Sequence, residues 1–132
     1  MKIVRNKYIP FQGFKAMCLW PFLFVRSDLM SDKDIRHELI HGEQQKELLI
    51  VGIAVFFVML LLGCGWLSVM ALPMYFWVYG ILYVWELIFS DENDTYKANP
   101  LEKEAYFFEG DESYISRRRW FGWWQFVKGA GR

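Results

Sequence analysis

Residues 48–85 read LLIVGIAVFFVMLLLGCGWLSVMALPMYFWVYGILYVW, 38 consecutive positions without a charge, bounded by Glu47 and Glu86. A soluble domain does not segregate its charges in this way, and an apolar run longer than about 18 residues reads as membrane-inserted. One helix cannot hold the whole run: at about 1.5 Å per residue it would extend roughly 57 Å, about twice the hydrocarbon thickness. Gly63-Cys64-Gly65 and Pro73 mark a break near its middle. The expectation is a tight transmembrane hairpin with helices over about 46–65 and 69–90. Both flanks carry Lys and Arg, eight before the run and seven after it, while the run itself carries none. The positive-inside bias then places both termini of a multi-pass protein in the cytoplasm.

At this length the whole chain, 1–132, reads as one membrane-embedded domain. It has 132 residues, 55% of them hydrophobic and 20% aromatic, with 15 basic side chains against 15 acidic ones. That apolar content excludes disorder, and the absence of a basic excess argues against a nucleic-acid partner. Residues 8–26, YIPFQGFKAMCLWPFLFVR, are rich in aromatic and β-compatible types, and Pro21 bars a continuous helix. The apolar stretch from Ala16 to Val25 is too short to span as a helix, so two short strands turning near Trp20-Pro21 are expected. Lys2, Arg5 and Lys7 resemble the start of a signal peptide, but Gln12, Lys15 and Arg26 interrupt what should follow, and no cleavable leader is expected. Cys18 and Cys64 lie in unlike settings and read as small apolar fillers.

Ser31 is placed as an N-cap with Asp34 three residues on, and Met30 and Ile35 are spaced as a hydrophobic staple. The helix that starts there is expected over 32–65, continuing into the first span. Past the hairpin, Asn99-Pro100 opens a short helix over 100–109, with Gly110 after its end. The last segment, RRRWFGWWQFVK (117–128), mixes cations with indole rings. An interfacial helix over 112–128 is expected there, with its cations toward anionic lipid.

The two histidines of the chain, His37 and His41, fall in His37-Glu38-Leu39-Ile40-His41 on the first expected helix. The i, i+4 spacing stacks both imidazoles on one face, where two nitrogens reach one tetrahedral zinc ion, and Glu38 stands beside them as a base toward water. A catalytic zinc site takes a third protein ligand, here a carboxylate: Glu86, Asp91, Glu92, Asp94, Glu102, Glu104 or Glu109. Glu102 and Glu104 lie on the short helix that the hairpin returns to the same membrane face. Glu102 also stands at N3 of that helix, where a capping-box glutamate belongs. Glu86, near the end of the second span, is either hydrogen-bonded to a ligating imidazole or snorkels to the interface. Tyr96, Tyr106 and Tyr114 are candidate donors to an oxyanion. Seven residues, about 10 Å of helix, separate His41 from Leu48, which puts the metal some two turns outside the hydrocarbon.

His37–His41 followed by Glu102-Lys103-Glu104-Ala105 resembles the gluzincin metallopeptidases, HExxH proteins in which a later helix carries Glu-x-x-Ala. The similarity is to their membrane-embedded branch, the CAAX-prenyl-protease and heat-shock membrane-protease type. By that resemblance the first Glu of the second motif, Glu102, is the third zinc ligand, with Glu104 in reserve. The family often has Asp after the Ala, where this chain has Tyr106. An edge strand before the motif helix, around Phe22–Arg26, would then pair with an extended substrate. The order GFKA, FVR, HE-x-IH-x-x-QQ and E-x-EAY is also similar to small membrane proteins of Bacteroidetes-type bacteria, which implies the bacterial inner membrane but no activity. The resulting expectation is a zinc metallopeptidase acting on peptides or membrane proteins at the cytoplasmic membrane surface, in contact with lipid and with room for a second copy of the chain. A non-catalytic structural zinc protein and a zinc hydrolase of lipid-linked amides or esters are the alternatives.

Overall fold

The computed structural model describes residues 1–8, 15–26, 30–91 and 93–127 of the chain. The strand positions expected at 9–14, the candidate ligand Glu92 and the last expected helical residue, Lys128, lie outside them. Most of the described chain is helical, and a small sheet precedes the helices. Its strands are β1 (Lys2–Arg5), β2 (Ala16–Leu19) and β3 (Phe22–Val25). The turn at Trp20-Pro21 joins β2 and β3 as an antiparallel pair, with Cys18 opposite Leu23. β1 was not expected: it lies parallel to β3, with Ile3 opposite Leu23. The strand order β1-β3-β2 makes β3 the centre of the sheet. Phe22–Arg26 therefore has strand partners on both sides and is no edge; the edge nearer the helices is β2. Alternation along β3 sends Leu23 and Val25 inward, where they pack with Cys18, Met30, Ile35 and Leu39.

Helix α1 runs from Asp32 to Leu61. Its start has the expected chemistry. Ser31 Oγ accepts from the Asp34 amide at 3.2 Å, and the Asp34 carboxylate accepts from the Ser31 amide at 3.2 Å. Its end lies a few residues before the expected one, because the chain reverses through Gly63 and Gly65, whose φ angles of +81° and +58° suit residues without a Cβ. α1 is the one helix among the described residues that is by itself long and apolar enough to cross a membrane.

The return limb is not the single helix expected over 69–90. A 3₁₀ segment (Gly65–Ala71) comes first, and α2 (Met74–Phe89) leaves it at 64°. Pro73 has no amide hydrogen to continue a helix, and its carbonyl instead accepts from the amides of Phe76 and Trp77. The 3₁₀ segment lies against α1 at Gly52, where a Cβ would stand 2.5 Å from the Ala71 carbonyl oxygen.

Short helices α3 (Thr95–Ala98) and α4 (Pro100–Phe108) follow, then α5 (Tyr114–Arg117) and α6 (Trp124–Val127). The expected interfacial helix over 112–128 is thus two single turns with a bent connection between them. Arg118 is extended there, Phe121 is left-handed at φ +56°, and Gly122 sits so close to Glu104 that a Cβ would lie 2.5 Å from the carboxylate. Trp123 and Phe126 are buried, so this segment belongs in part to the core. One cluster joins Leu48, Leu101 and Trp123 with Met74, Val78 and Leu82; another joins Ile40, Ala105 and Tyr114, whose ring stacks on Phe108 at 3.7 Å. Between them these clusters press α4 against the first half of α1, and that contact builds the site.

Candidate metal centre

Helical spacing sets His37 and His41 one turn apart on α1, with their Nε2 atoms 3.1 Å from each other. Asn99 starts α4 by accepting from the Leu101 amide at 3.0 Å, which turns Glu102 toward α1. Glu102 Oε2 lies 3.3 Å from each of the two Nε2 atoms. All three side chains are buried. Glu102 therefore faces the imidazoles and does not cap its own helix. Glu104, two residues on, meets α1 farther along, at Gln44 Nε2, and not at the imidazoles.

The donor chemistry fits a cation. His37 Nδ1 is 2.8 Å from Glu109 Oε2, and His41 Nδ1 is 2.9 Å from Gln44 Oε1. The Gln44 amide has one orientation only, because its Nε2 donates to the Leu101 carbonyl at 2.9 Å and to Glu104 Oε2 at 2.8 Å. Its oxygen must then face His41. A carboxylate and an amide oxygen only accept, so both neutral rings carry their proton on Nδ1 and aim an Nε2 lone pair at the Glu102 carboxylate. Three such atoms at this separation repel unless a cation lies among them. A proton answers this in part: burial opposes charge on His41, yet the neighbouring Glu102 raises its basicity above the usual imidazole value. Burial likewise opposes ionisation of Glu102, and imidazoles that turn a proton toward it on Nε2 overcome this and hold the carboxyl well below the carboxylate range. A metal ion satisfies all three at once. Ligands about 2.0–2.2 Å from a tetrahedral ion stand roughly 3.3–3.5 Å apart, close to the separations seen here. His37, His41 and Glu102 are the group of buried ligand-type side chains among the described residues that could hold one ion.

Glu38 lines an open cleft of about 460 Å³ beside this cluster, together with His37, Tyr96, Tyr106 and residues Lys15 and Ala16 at the start of β2. Burial pushes the Glu38 carboxyl up from its ordinary value, against the pull of His41 and His37. Tyr96 and Tyr106 stay protonated as donors, because burial and then the charge of Glu102 raise both hydroxyls. The Tyr106 ring stands edge-on to His37, with centroids 4.5 Å apart.

The remaining expected residues have other places. Tyr114 lies in the core and donates to Glu104 Oε1 at 2.7 Å, so it is not at the cleft. Glu86 is buried in α2, but the Nδ1 partners of the two imidazoles are Glu109 and Gln44, which leaves it no such position. Asp94 caps α3, Asp91 is exposed, and Glu109 is the partner of His37. Glu104 belongs to a buried network. Arg118 donates to it through Nε at 2.6 Å, and the same guanidinium pairs with buried Glu47. Sequence reasoning did not find Tyr79, which donates to Glu102 Oε1 at 3.0 Å, or Tyr75, whose hydroxyl is 3.5 Å from His41 Nδ1. Their signal was their spacing of four on one face of the second apolar helix. Gln44 carried one as well, since it lies on the His37–His41 face. Compared with protein-family models, curated proteins and solved structures, the chain matches none of them.

Proposed function

We propose that the chain is a zinc-dependent metallopeptidase working at the cytoplasmic face of a membrane, with His37, His41 and Glu102 as ligands and Glu38 as general base. The observation that carries this reading is the convergence of two imidazole lone pairs and a carboxylate beside a cleft lined by a further carboxylate. A zinc ion bound there supplies Lewis acidity and brings the pKa of water down to about 7. Glu38 accepts a proton from the attacking water and delivers it to the leaving amine, a role that its raised pKa suits. Tyr96 and Tyr106 face the cleft as donors for the carbonyl oxygen as it gains negative charge. Gln45 of α1 holds the outer edge of β2 at Cys18 and Trp20, donating to the Cys18 carbonyl and accepting from the Trp20 amide, which leaves the start of β2 for an extended substrate. Lys15 O accepts from the Arg26 amide, so by alternation the amide and carbonyl of Ala16 face away from β3, at the cleft.

The test is Glu38→Gln, which keeps the shape and removes the base. Zinc content should be unchanged while cleavage of an unstructured protein substrate in detergent or vesicles is lost. Zinc bound equally by both forms without hydrolysis in either would make the site structural. Loss of the metal in Glu38→Gln would make Glu38 a ligand and end this assignment.

A further inference from the structure

We propose that the apolar part of this chain dips into a lipid bilayer from one face and returns without crossing it; the inference rests on the membrane reading above. Two backbone contacts mark the level at which the protein meets lipid. The Trp20 amide donates to Gln45 Oε1 at 2.8 Å, and the Phe121 amide donates to Glu47 Oε1 at 3.0 Å. They bring the sheet turn and the C-terminal segment against α1 within two residues of each other along the helix. Trp20, Trp120 and Trp124 are left exposed around that level. Exposed indoles at one level belong among lipid headgroups. Lys46 and Glu47 are the last charged residues of α1, and beyond them Ile50, Ile53, Phe57, Val58 and Leu61 are exposed.

Depth follows from length. Glu47 to Leu61 is 14 residues, about 21 Å of helix. The hydrocarbon core is about 30 Å thick. The turn beyond Leu61 is built of aliphatic side chains with nothing for water: Leu61 is 87% exposed and Leu62 75%. A loop that emerged on the far side would place these side chains in solvent.

The return limb agrees. The contact of Gly52 with Ala71 brings the chain back to within five residues, about 8 Å of helix, of Glu47 before α2 begins. α2 then reaches the metal cluster at once. Tyr79 donates to Glu102, and the Tyr79 carbonyl accepts from Asn99 Nδ2 at 3.2 Å. A second span descending from the far face would come to that level only at its last turn, near Glu86–Phe89. α2 instead slants 64° away from the 3₁₀ segment and spreads Ile81, Val84, Trp85 and Ile88 along the near leaflet. The 3₁₀ backbone, whose amides are less regularly paired than those of an α-helix, is tolerated at this depth because it lies on α1.

Cys64 stands in the deep turn, and the other cysteine, Cys18, is buried in β2 with its thiol pushed up to about 12 by burial and by Glu38. The experiment uses the full chain as Cys18→Ala, with the wild-type chain as a second form in case the substitution perturbs folding. In vesicles, retention through an alkaline carbonate wash is scored first; a washed-off protein ends the membrane reading itself. In retained protein, a membrane-impermeant maleimide added to either face should leave Cys64 unlabelled, while the same reagent added after denaturation in detergent labels it fully. Glu112→Cys, placed on an exposed side chain in a background without the other two thiols, identifies the face that carries the site. Impermeant labelling of Cys64 from the opposite face means that the hairpin crosses, and labelling from the same face means that it does not dip. Either result overturns the proposal.

Discussion

A metal-ligating imidazole works only if the right nitrogen carries the lone pair, and in this chain that choice is made by residues outside the His37–His41–Glu102 cluster. Gln44 holds the His41 tautomer, and Glu104 with the Leu101 carbonyl holds Gln44. Gln44→Ala should leave the fold intact and weaken zinc affinity about 10–100-fold in competition with a chelator, the usual cost of losing such a partner. An unchanged affinity would show that the His41 ring is oriented by packing alone. Glu109→Gln should act on His37 in the same direction and less strongly, because an amide oxygen can still accept from Nδ1. The His37–His41 pair was legible in the sequence, since both imidazoles and Glu38 lie within five residues of one helix. Glu102 was legible only through a resemblance: seven carboxylates were eligible, and the choice depends on how α4 packs on α1. Glu109 in place of Glu86 as the imidazole's partner could not be read, because it depends on where α2 departs.

The elements divide into those whose ends carry local signals and those whose shape is set by partners far along the chain. Ser31 with Asp34, and Asn99 with Pro100, start α1 and α4 where the sequence places them, because capping involves neighbours only. β1 and the C-terminal segment are the opposite case. Lys2–Arg5 becomes a strand by pairing with β3 some twenty residues away, and residues 118–123 leave helical geometry because Arg118 turns inward to Glu47 and Glu104. These two carboxylates are buried and share one guanidinium, so removing it leaves two uncompensated charges. Arg118→Ala should destabilise the protein by about 3–5 kcal/mol, the range for breaking a buried ion pair, and lower its melting temperature in detergent. A variant that melts with the wild type would mean that water or another cation serves these carboxylates. Ser31→Ala, which removes an exposed cap, should cost only about 1 kcal/mol.

At the scale of the whole molecule, charge segregation made the apolar body legible but not its path. Counting 38 uncharged residues against the bilayer thickness suggested two spans, and the count could not reveal that the return limb is broken at Pro73 and pinned to Gly52. What the molecule does with that body is to hold the His37–His41–Glu102 cluster just outside the level of Gln45 and Glu47, with Glu38 and the cleft beside it. On this account the centre is a zinc site completed by a residue 61 positions away from His41. The most direct measurement is the zinc content per chain of purified Glu102→Ala beside the wild type. One zinc per wild-type chain is expected, and its loss from the variant on dialysis against a chelator that spares the wild type. A wild-type chain that purifies without stoichiometric metal and takes up none, or a Glu102→Ala chain that keeps zinc as firmly as the wild type, would contradict it.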